Sequence, residues 1–121
     1  MLEGTFYTAL PCSTDGTFDI ALNGQHPIFG AHFPGKPIVP GVCILQICKE
    51  LTERICNNKL TISYVRSIKF MHMLSPIEHQ QVRFVLRTEN HGNLDVTVQA
   101  TVEHNNMVFT KIHMTLCPSP R

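Results

Sequence analysis

The sequence predicts a single α+β domain in which an antiparallel sheet of about six strands wraps around one helix. Three observations predict this architecture. Six segments favour strands, most of them by alternating apolar and polar residues, one segment has the period of a helix, and short turn-forming joints connect the later strands. A chain of 121 residues with 43% hydrophobic content has room for one core. We therefore predict one domain over residues 1–117 and a short C-terminal tail over residues 118–121.

The first half of the chain predicts two strands, a shaped loop and a helix. The strands cover Thr5–Leu10 and Thr17–Leu22. Residues 23–41 contain eight glycines and prolines, a density that neither a helix nor a central strand tolerates. The helix covers Val42–Asn57, where apolar residues recur at the helical period. Its apolar face is predicted to contain Ile44, Cys48, Leu51 and Ile55, and its polar face Gln46, Glu50, Glu53 and Asn57.

The second half of the chain predicts four consecutive strands. Alternation is clearest from Leu94 to Val102, it recurs in Val82–Leu86 and Val108–Leu116, and Leu60–Phe70 is a less regular strand. The joints between the last three strands are short and rich in Asn and Gly, which favours antiparallel neighbours. A sheet of this kind has one apolar face. The helix of residues 42–57 is the only predicted element long enough to cover it.

Composition excludes several classes of function. The formal net charge is +1, from 10 basic and 9 acidic residues spread along the chain, so neither nucleic-acid binding nor electrostatic membrane attachment is indicated. No apolar run approaches the roughly 20 residues of a membrane-spanning helix, and we expect a soluble cytoplasmic protein. The five cysteines include no Cys-x-x-Cys pair and the seven histidines form no compact metal motif. We therefore expect neither a disulfide framework nor a metal site.

The loop from Gly30 to Val42 carries the residues that indicate chemistry. It places His32 among prolines that restrict its conformations and glycines that leave room for a ligand. Where the helix begins, the N–H groups of Gly41 and Val42 lie at the positive end of the helix dipole and are candidate donors to a carbonyl oxygen that gains negative charge. A neutral imidazole beside such donors suits removal of a proton next to a carbonyl group. The predicted substrate-binding residues are Gly41, Val42, Phe33 and Pro40.

The run from His32 to Val42 reads His-Phe-Pro-Gly-Lys-Pro-Ile-Val-Pro-Gly-Val. It resembles the signature of the (3R)-hydroxyacyl-acyl carrier protein dehydratase family. The resemblance implies a hotdog fold, a dimer, and a substrate carried on the phosphopantetheine of acyl carrier protein, with no other cofactor. It also implies that His32 takes a proton from C2 of the acyl chain and that Gly41 donates its N–H to the thioester carbonyl.

The helix carboxylate that protonates the departing hydroxyl in this family corresponds to Gln46 here. Glutamine can hydrogen-bond to a 3-hydroxyl but cannot give up a proton. Glu50, one turn later, is a candidate for a displaced acid about 6 Å along the helix axis. The alternative is that Gln46, Glu50, Glu53 and Asn57 form a solvated stripe, with Glu50–Arg54 and Lys49–Glu53 as surface pairs. The predicted catalytic residues are therefore His32, Gln46 and Glu50.

Three functions follow from this combination. The first is dehydration of (3R)-hydroxyacyl thioesters on acyl carrier protein to trans-2-enoyl thioesters, in fatty-acid or polyketide or polyene-type synthesis. The second is a non-catalytic, acyl-thioester-binding partner subunit of a heteromeric dehydratase. The third is a hotdog thioesterase, against which the proline-rich histidine loop argues. The predicted partners are acyl carrier protein and either further copies of this chain, in a homodimer or larger homo-oligomer, or a homologous dehydratase in a heterodimer.

Overall fold

The computed structural model describes residues 2–11, 16–31, 37–92 and 94–120. Within these ranges the chain forms six strands and two helices. They are β1 (Tyr7–Pro11), β2 (Thr17–Leu22), α1 (Ile28–Ala31), α2 (Gly41–Cys56), β3 (Leu60–Phe70), β4 (Gln81–Asn90), β5 (Val96–His104) and β6 (Met107–Pro118). No helix in these ranges has the length and apolar character needed to cross a membrane.

The six strands form one antiparallel sheet in the spatial order β1-β2-β4-β5-β6-β3. The consecutive strands β4, β5 and β6 are the predicted meander. The register aligns inward-facing side chains from strand to strand, so that Phe84 lies opposite both Phe18 and Val102. All three are buried. The sheet and its single long helix confirm the predicted α+β hotdog fold.

Helix α2 covers the inner face of this sheet. Its buried apolar residues belong to the same core cluster as Phe84 and Val98 of the sheet. Each large apolar side chain buried in this way stabilises the fold by about 1.5–3 kcal/mol. Asn57 caps the end of the helix: it has a left-handed φ of 52° and donates its N–H to the Glu53 carbonyl. The buried residues of α2 are Cys43, Ile44, Ile47, Cys48, Glu50, Leu51 and Thr52.

The observed bounds lie close to the predicted ones. β2 and β3 have the predicted bounds, and α2 begins and ends one residue earlier than predicted. The first strand begins at Tyr7 rather than Thr5. The reason is that the preceding residues form turns, in which the Phe6 N–H donates to the Leu2 carbonyl at 2.8 Å.

Two details of the prediction are wrong. The loop of residues 23–41 contains the short helix α1, because Pro27 suits a first helical turn and the His26 Nδ1 accepts the Ile28 N–H at 3.1 Å. The helical period predicts Ile55 on the apolar face of α2, but Ile55 is 38% exposed. The buried stripe of the helix ends at Thr52, one turn before Ile55.

β3 is the longer of the two edge strands, with 11 residues against five in β1. Among the described strands it pairs with β6 alone, and its register shifts between Ile62 and Tyr64 and between Val65 and Ser67. Such shifts mark β-bulges, which are common at sheet edges. The start of the predicted C-terminal tail is attached to this edge of the sheet, because the Ser119 N–H donates to the Lys59 carbonyl at 2.9 Å.

The turn before β2 depends on a glycine. Gly16 has a φ of +77°, its carbonyl accepts the Leu86 N–H at 2.7 Å, and a Cβ at this position would clash with the Leu86 carbonyl oxygen. We expect Gly16→Ala to lower the free energy of unfolding by about 2 kcal/mol or more in urea denaturation. The control is Gly92→Ala, whose added Cβ meets no described atom within 4 Å and should change that energy by less than about 0.5 kcal/mol. Equal losses in the two variants would contradict this account of the turn.

Candidate active site

The start of α2 borders an apolar groove of about 620 Å³. One wall is the chain that enters α2, and the other is the chain that leaves β3. The Val39 N–H donates to the Leu74 carbonyl at 2.8 Å and ties the two walls together. A groove of this size and lining suits an apolar ligand. The lining residues are Ile38, Val39, Pro40, Gly41, Ile44, Phe70, Met71, His72, Met73 and Leu74.

Gly41 is both the first residue of α2 and part of this groove. Pro40 precedes it with extended backbone angles and makes no side-chain capping bond. The Pro40 carbonyl accepts the N–H groups of Cys43 and Ile44 at 3.0 and 3.2 Å. The N–H groups of Gly41 and Val42 come earlier in the first turn, where the helix itself offers no acceptor. They therefore meet the requirement for donors to a ligand oxygen.

Phe70 explains why a glycine suits position 41. A Cβ on Gly41 would lie 2.6 Å from Cζ and 3.1 Å from Cε1 of the Phe70 ring, which is too close without a shift of the ring. The ring covers the helix start although 56% of Phe70 is exposed. Periodicity did not reveal this contact, because it joins the end of β3 to the start of α2 across the fold.

Not all predicted substrate-binding residues meet at the groove. Phe33 lies outside the described residues, as does the predicted catalytic base His32, so the roles of both stay predictions. Val42 is described, does not line the groove, and is 72% exposed. Pro40 and Gly41 are the two predicted residues that line it.

Gln46 and Glu50 form a hydrogen-bonded pair on another side of α2. The Gln46 Nε2 donates to the Glu50 Oε2 at 2.7 Å. The same carboxylate accepts the Leu2 N–H at 2.8 and 3.1 Å, the Glu3 N–H at 3.0 Å and the Tyr7 hydroxyl at 3.0 Å. Glu50 thus fastens the N-terminal segment to the helix, and it is only 7% exposed.

The surroundings of Glu50 favour its ionised form. Burial alone would raise the pKa of this carboxyl, but the hydrogen bonds from Gln46, Leu2, Tyr7 and Glu3 outweigh burial and lower the pKa below its ordinary value. Burial, followed by the nearby Glu50 charge, raises the pKa of the Tyr7 hydroxyl, so this group remains a donor. An ionised carboxylate can only accept hydrogen bonds. The Glu50 carboxylate therefore orients the Gln46 side-chain amide with the amide nitrogen towards Glu50.

The solvated-stripe alternative is therefore wrong for Glu50, because residues at the N-terminus cover it. The predicted Lys49–Glu53 pair is confirmed at 3.5 Å. Arg54 does not form the predicted pair with Glu50 and instead contacts a carboxylate oxygen of Glu3 at 2.7 Å. Sequence reasoning missed the role of the N-terminal segment, because it lies more than 40 residues from Glu50 along the chain.

The described site residues fall into two separate groups. Pro40 and Gly41 border the groove, whereas Gln46 and Glu50 face the N-terminal segment. Gln46 lies five positions after Gly41, which is about 7.5 Å along the helix axis and about 140° around it. Within one chain, then, the candidate oxyanion donor and the position of the predicted acid lie on different sides of α2.

The described residues contain no candidate metal centre, since no three His, Cys, Asp or Glu side chains among them lie close enough to hold an ion. Cys43 and Cys48 are free thiols within the core. Burial raises the pKa of Cys48 to about 12. That thiol stays protonated at neutral pH and is a poor nucleophile.

The Glu50 network predicts a pH-dependent contribution to stability. Because its pKa is lower in the folded chain, the contribution is present above the unfolded value of about 4.3 and is lost as the pH falls through the folded value. Glu50→Gln should lower the free energy of unfolding by about 1–3 kcal/mol at pH 7, and this deficit should shrink between pH 5 and pH 3. Denaturant titrations at these pH values measure the deficit. Glu89→Gln, at an exposed position, serves as the control and should show a small, constant difference; a constant deficit for Glu50→Gln would argue against the network.

Comparison with known proteins identifies the family. The model of the ApeI-like family, described as ApeI dehydratase, matches residues 12–111 of this chain. No curated protein matches the chain in sequence.

Among the solved structures that share the fold, three show the range of proteins that adopt it. An uncharacterized protein from Erwinia carotovora subsp. atroseptica is 22% identical, with a TM-score of 0.63 over 93% of this chain and 96% of that one. The dehydratase heterocomplex ApeI:P from Xenorhabdus doucetiae is 16% identical, with a TM-score of 0.62 over 92% and 97%. A putative thioesterase from Shewanella oneidensis is 11% identical, with a TM-score of 0.62 over 96% and 85%. The fold alone does not choose between these reactions, but the family match spans most of the sequence, and the chain belongs to the ApeI-like dehydratase family.

Proposed function

We propose that this chain takes part in the dehydration of (3R)-hydroxyacyl thioesters on acyl carrier protein to trans-2-enoyl thioesters, in fatty-acid or polyketide or polyene-type synthesis. The observation that carries the proposal is the dehydratase family match over residues 12–111, which includes the loop with His32 and the start of α2. The groove beside Gly41 supports it, since apolar walls suit an acyl chain and free N–H groups suit a thioester oxygen.

In the proposed reaction His32 removes a proton from C2 of the acyl chain. The N–H of Gly41, with that of Val42, holds the thioester oxygen while negative charge builds up on it. The C3–O bond then breaks, and the departing hydroxyl takes up a proton and leaves as water. Phe33 and Pro40 would contact the substrate beside these groups. Beyond the phosphopantetheine arm of the substrate, these steps need no cofactor.

The departing hydroxyl needs a proton donor, a contribution of typically 10²- to 10⁴-fold in rate. Gln46 has no acidic proton, and the lowered pKa of Glu50 keeps that carboxylate ionised at neutral pH. We therefore assign Glu50 the role of a positioning residue that orients Gln46, instead of the role of a displaced acid.

The missing donor favours a second candidate function, that of an acyl-thioester-binding partner subunit in a heteromeric dehydratase. In that arrangement this chain lends its groove and His32, and a homologous chain lends the helix carboxylate. The ApeI:P heterocomplex from Xenorhabdus doucetiae, which has a similar fold, is a precedent for a dehydratase of this kind. The separation of Gly41 from Gln46 on α2 agrees with a site shared by two chains.

The first test measures water loss by the purified chain from a (3R)-hydroxyacyl group on carrier protein, by mass spectrometry. If the chain is sufficient for dehydration, His32→Ala should abolish water loss, and Glu50→Gln should reduce it without abolishing it. Retained activity in His32→Ala would overturn the proposed base. Complete loss in a folded Glu50→Gln would restore Glu50 as the acid. A folded but silent wild-type chain would favour the partner-subunit function.

A second test exchanges the two residue types on α2. The double substitution Gln46→Glu with Glu50→Gln keeps a hydrogen bond between these positions with donor and acceptor reversed, and it puts a carboxylic acid where the dehydratase family has one. We expect the exchanged chain to dehydrate about 10²-fold faster than the wild type or more. Gln46→Met with Glu50→Gln is the matched control, because it lacks the acid. No gain from the exchange in a folded chain would show that position 46 does not limit the reaction.

A further inference from the structure

We propose that the outer face of the sheet binds a small molecule that carries a diphosphate group. The place is an open pocket of about 360 Å³ formed by residues of β3, β4, β5 and β6. This outer-face pocket shares no lining residue with the groove beside Gly41. The inference therefore goes beyond the proposed dehydratase function and does not depend on it.

Strand pairing gathers the polar side chains of the outer-face pocket. Lys111 and His113 alternate along β6 with the buried residues Ile112 and Met114, so both face away from the core. The register continues each of them across the sheet as a row of outward-facing residues. The two neighbouring rows are Lys69, Lys111 and Thr101, and His113, Gln99 and Arg87.

The charges that line the outer-face pocket all have one sign. Its lining includes the cations Lys69, Arg87 and Lys111 and no carboxylate. None of the three forms a salt bridge with a described carboxylate. Lys69 also lies directly opposite Lys111, and like charges in such a pair are destabilising. An anion bound between the two ammonium groups would turn this repulsion into attraction.

The spacing of the cations fits two linked phosphate groups. Directly opposite residues have Cβ atoms about 4.5–5.5 Å apart, so one phosphate can contact both Lys69 and Lys111. Arg87 lies two strands beyond Lys111, about 10 Å across the sheet, and its guanidinium can form paired hydrogen bonds with a second phosphate. Gln99 and Thr101 lie on the strand between them, where their side chains supply uncharged donors.

The small extent of the cationic area favours a small ligand over an acidic protein surface. Along the strands the area is two rows deep, which is about 7 Å. Carboxylates border it on both sides, because Glu89 lies two residues beyond Arg87 on β4 and Glu103 lies two residues beyond Thr101 on β5. An extended acidic surface would meet these carboxylates and be repelled. A compact ligand with several negative charges would not.

Calorimetric titration of the full chain with inorganic diphosphate, at physiological salt, is the first part of the test. We expect saturable binding, and binding of orthophosphate at least about tenfold weaker, because one phosphate cannot reach all three cations. Adenosine diphosphate distinguishes two sources of the group. Tighter binding than that of diphosphate would identify a nucleotide as the ligand, and equal or weaker binding would identify the diphosphate group itself.

Two results of these titrations would overturn the inference. The first is a dissociation constant above about 1 mM for both diphosphate-bearing probes. The second is a peptide of glutamates that binds as tightly as diphosphate, since the pocket would then not select a phosphorylated ligand. Either result would leave the proposed dehydratase function standing, because the water-loss assay is independent of this pocket.

The second part separates the pocket from the general charge of the chain. The double variant Lys69→Gln with Lys111→Gln should bind diphosphate at least about tenfold more weakly than wild type. Without ligand its Tm should equal or exceed that of wild type, because the like-charged pair is gone. The matched control, Lys59→Gln with Arg66→Gln, removes two exposed cations that do not line the pocket and should bind as wild type does. Equal affinities of the two variants, with folding checked by circular dichroism, would overturn the inference.

Discussion

Burial of α2 against the inner face of the sheet is the constraint on which the rest of the structure depends. Among the described residues, the stripe that contains Ile47 and Leu51 packs into the same core cluster as the inner face of the sheet. That packing fixes the rotation of the helix about its axis. Turning it by one residue, about 100°, would take both side chains out of the core. Because the rotation is fixed, Gly41 meets Phe70, and Gln46 and Glu50 face the N-terminal segment.

Glu50 shows why a carboxylate near a candidate site need not be an acid. A general acid needs surroundings that favour its protonated form, such as an apolar pocket with few donors. Glu50 is buried, but it accepts two backbone N–H groups, a hydroxyl and an amide, all of which favour the charge. Burial would raise the pKa of a carboxyl without hydrogen-bond donors. The pKa of the buried Glu50 carboxyl is nevertheless lowered, because its donors outweigh burial. The donors around the group, more than its depth, set its chemistry.

The sequence predicted most of the fold because its signals are local. Alternation in Thr17–Leu22 and the helical period after Pro40 depend only on neighbouring residues, and both elements appear within one residue of the expected bounds. The helix start was predictable from Pro40 and Gly41 for the same reason.

The features that the sequence did not predict depend on contacts between residues that are distant along the chain, or on a hydrogen bond made by a single side chain. The cover over Glu50 comes from Leu2, Glu3 and Tyr7, and the ring over Gly41 comes from Phe70. At the start of the short helix α1 the Ile28 N–H donates a hydrogen bond to the His26 side chain, which composition does not reveal. The placement of Gly41 and Gln46 in two separate groups was likewise not predictable, because it depends on how helix α2 packs.

The attachment of Leu2 and Glu3 to Glu50 has a practical consequence for handling the protein. The N–H groups of both residues are committed to a buried carboxylate, so any residues joined ahead of Leu2 would emerge directly beside it. A purification tag at that end would change the surroundings of Glu50 and, through it, the orientation of Gln46. Pro120 is exposed and lies far along the chain from Leu2 and Glu3. A tag joined on the C-terminal side of Pro120 therefore avoids the residues that surround Glu50.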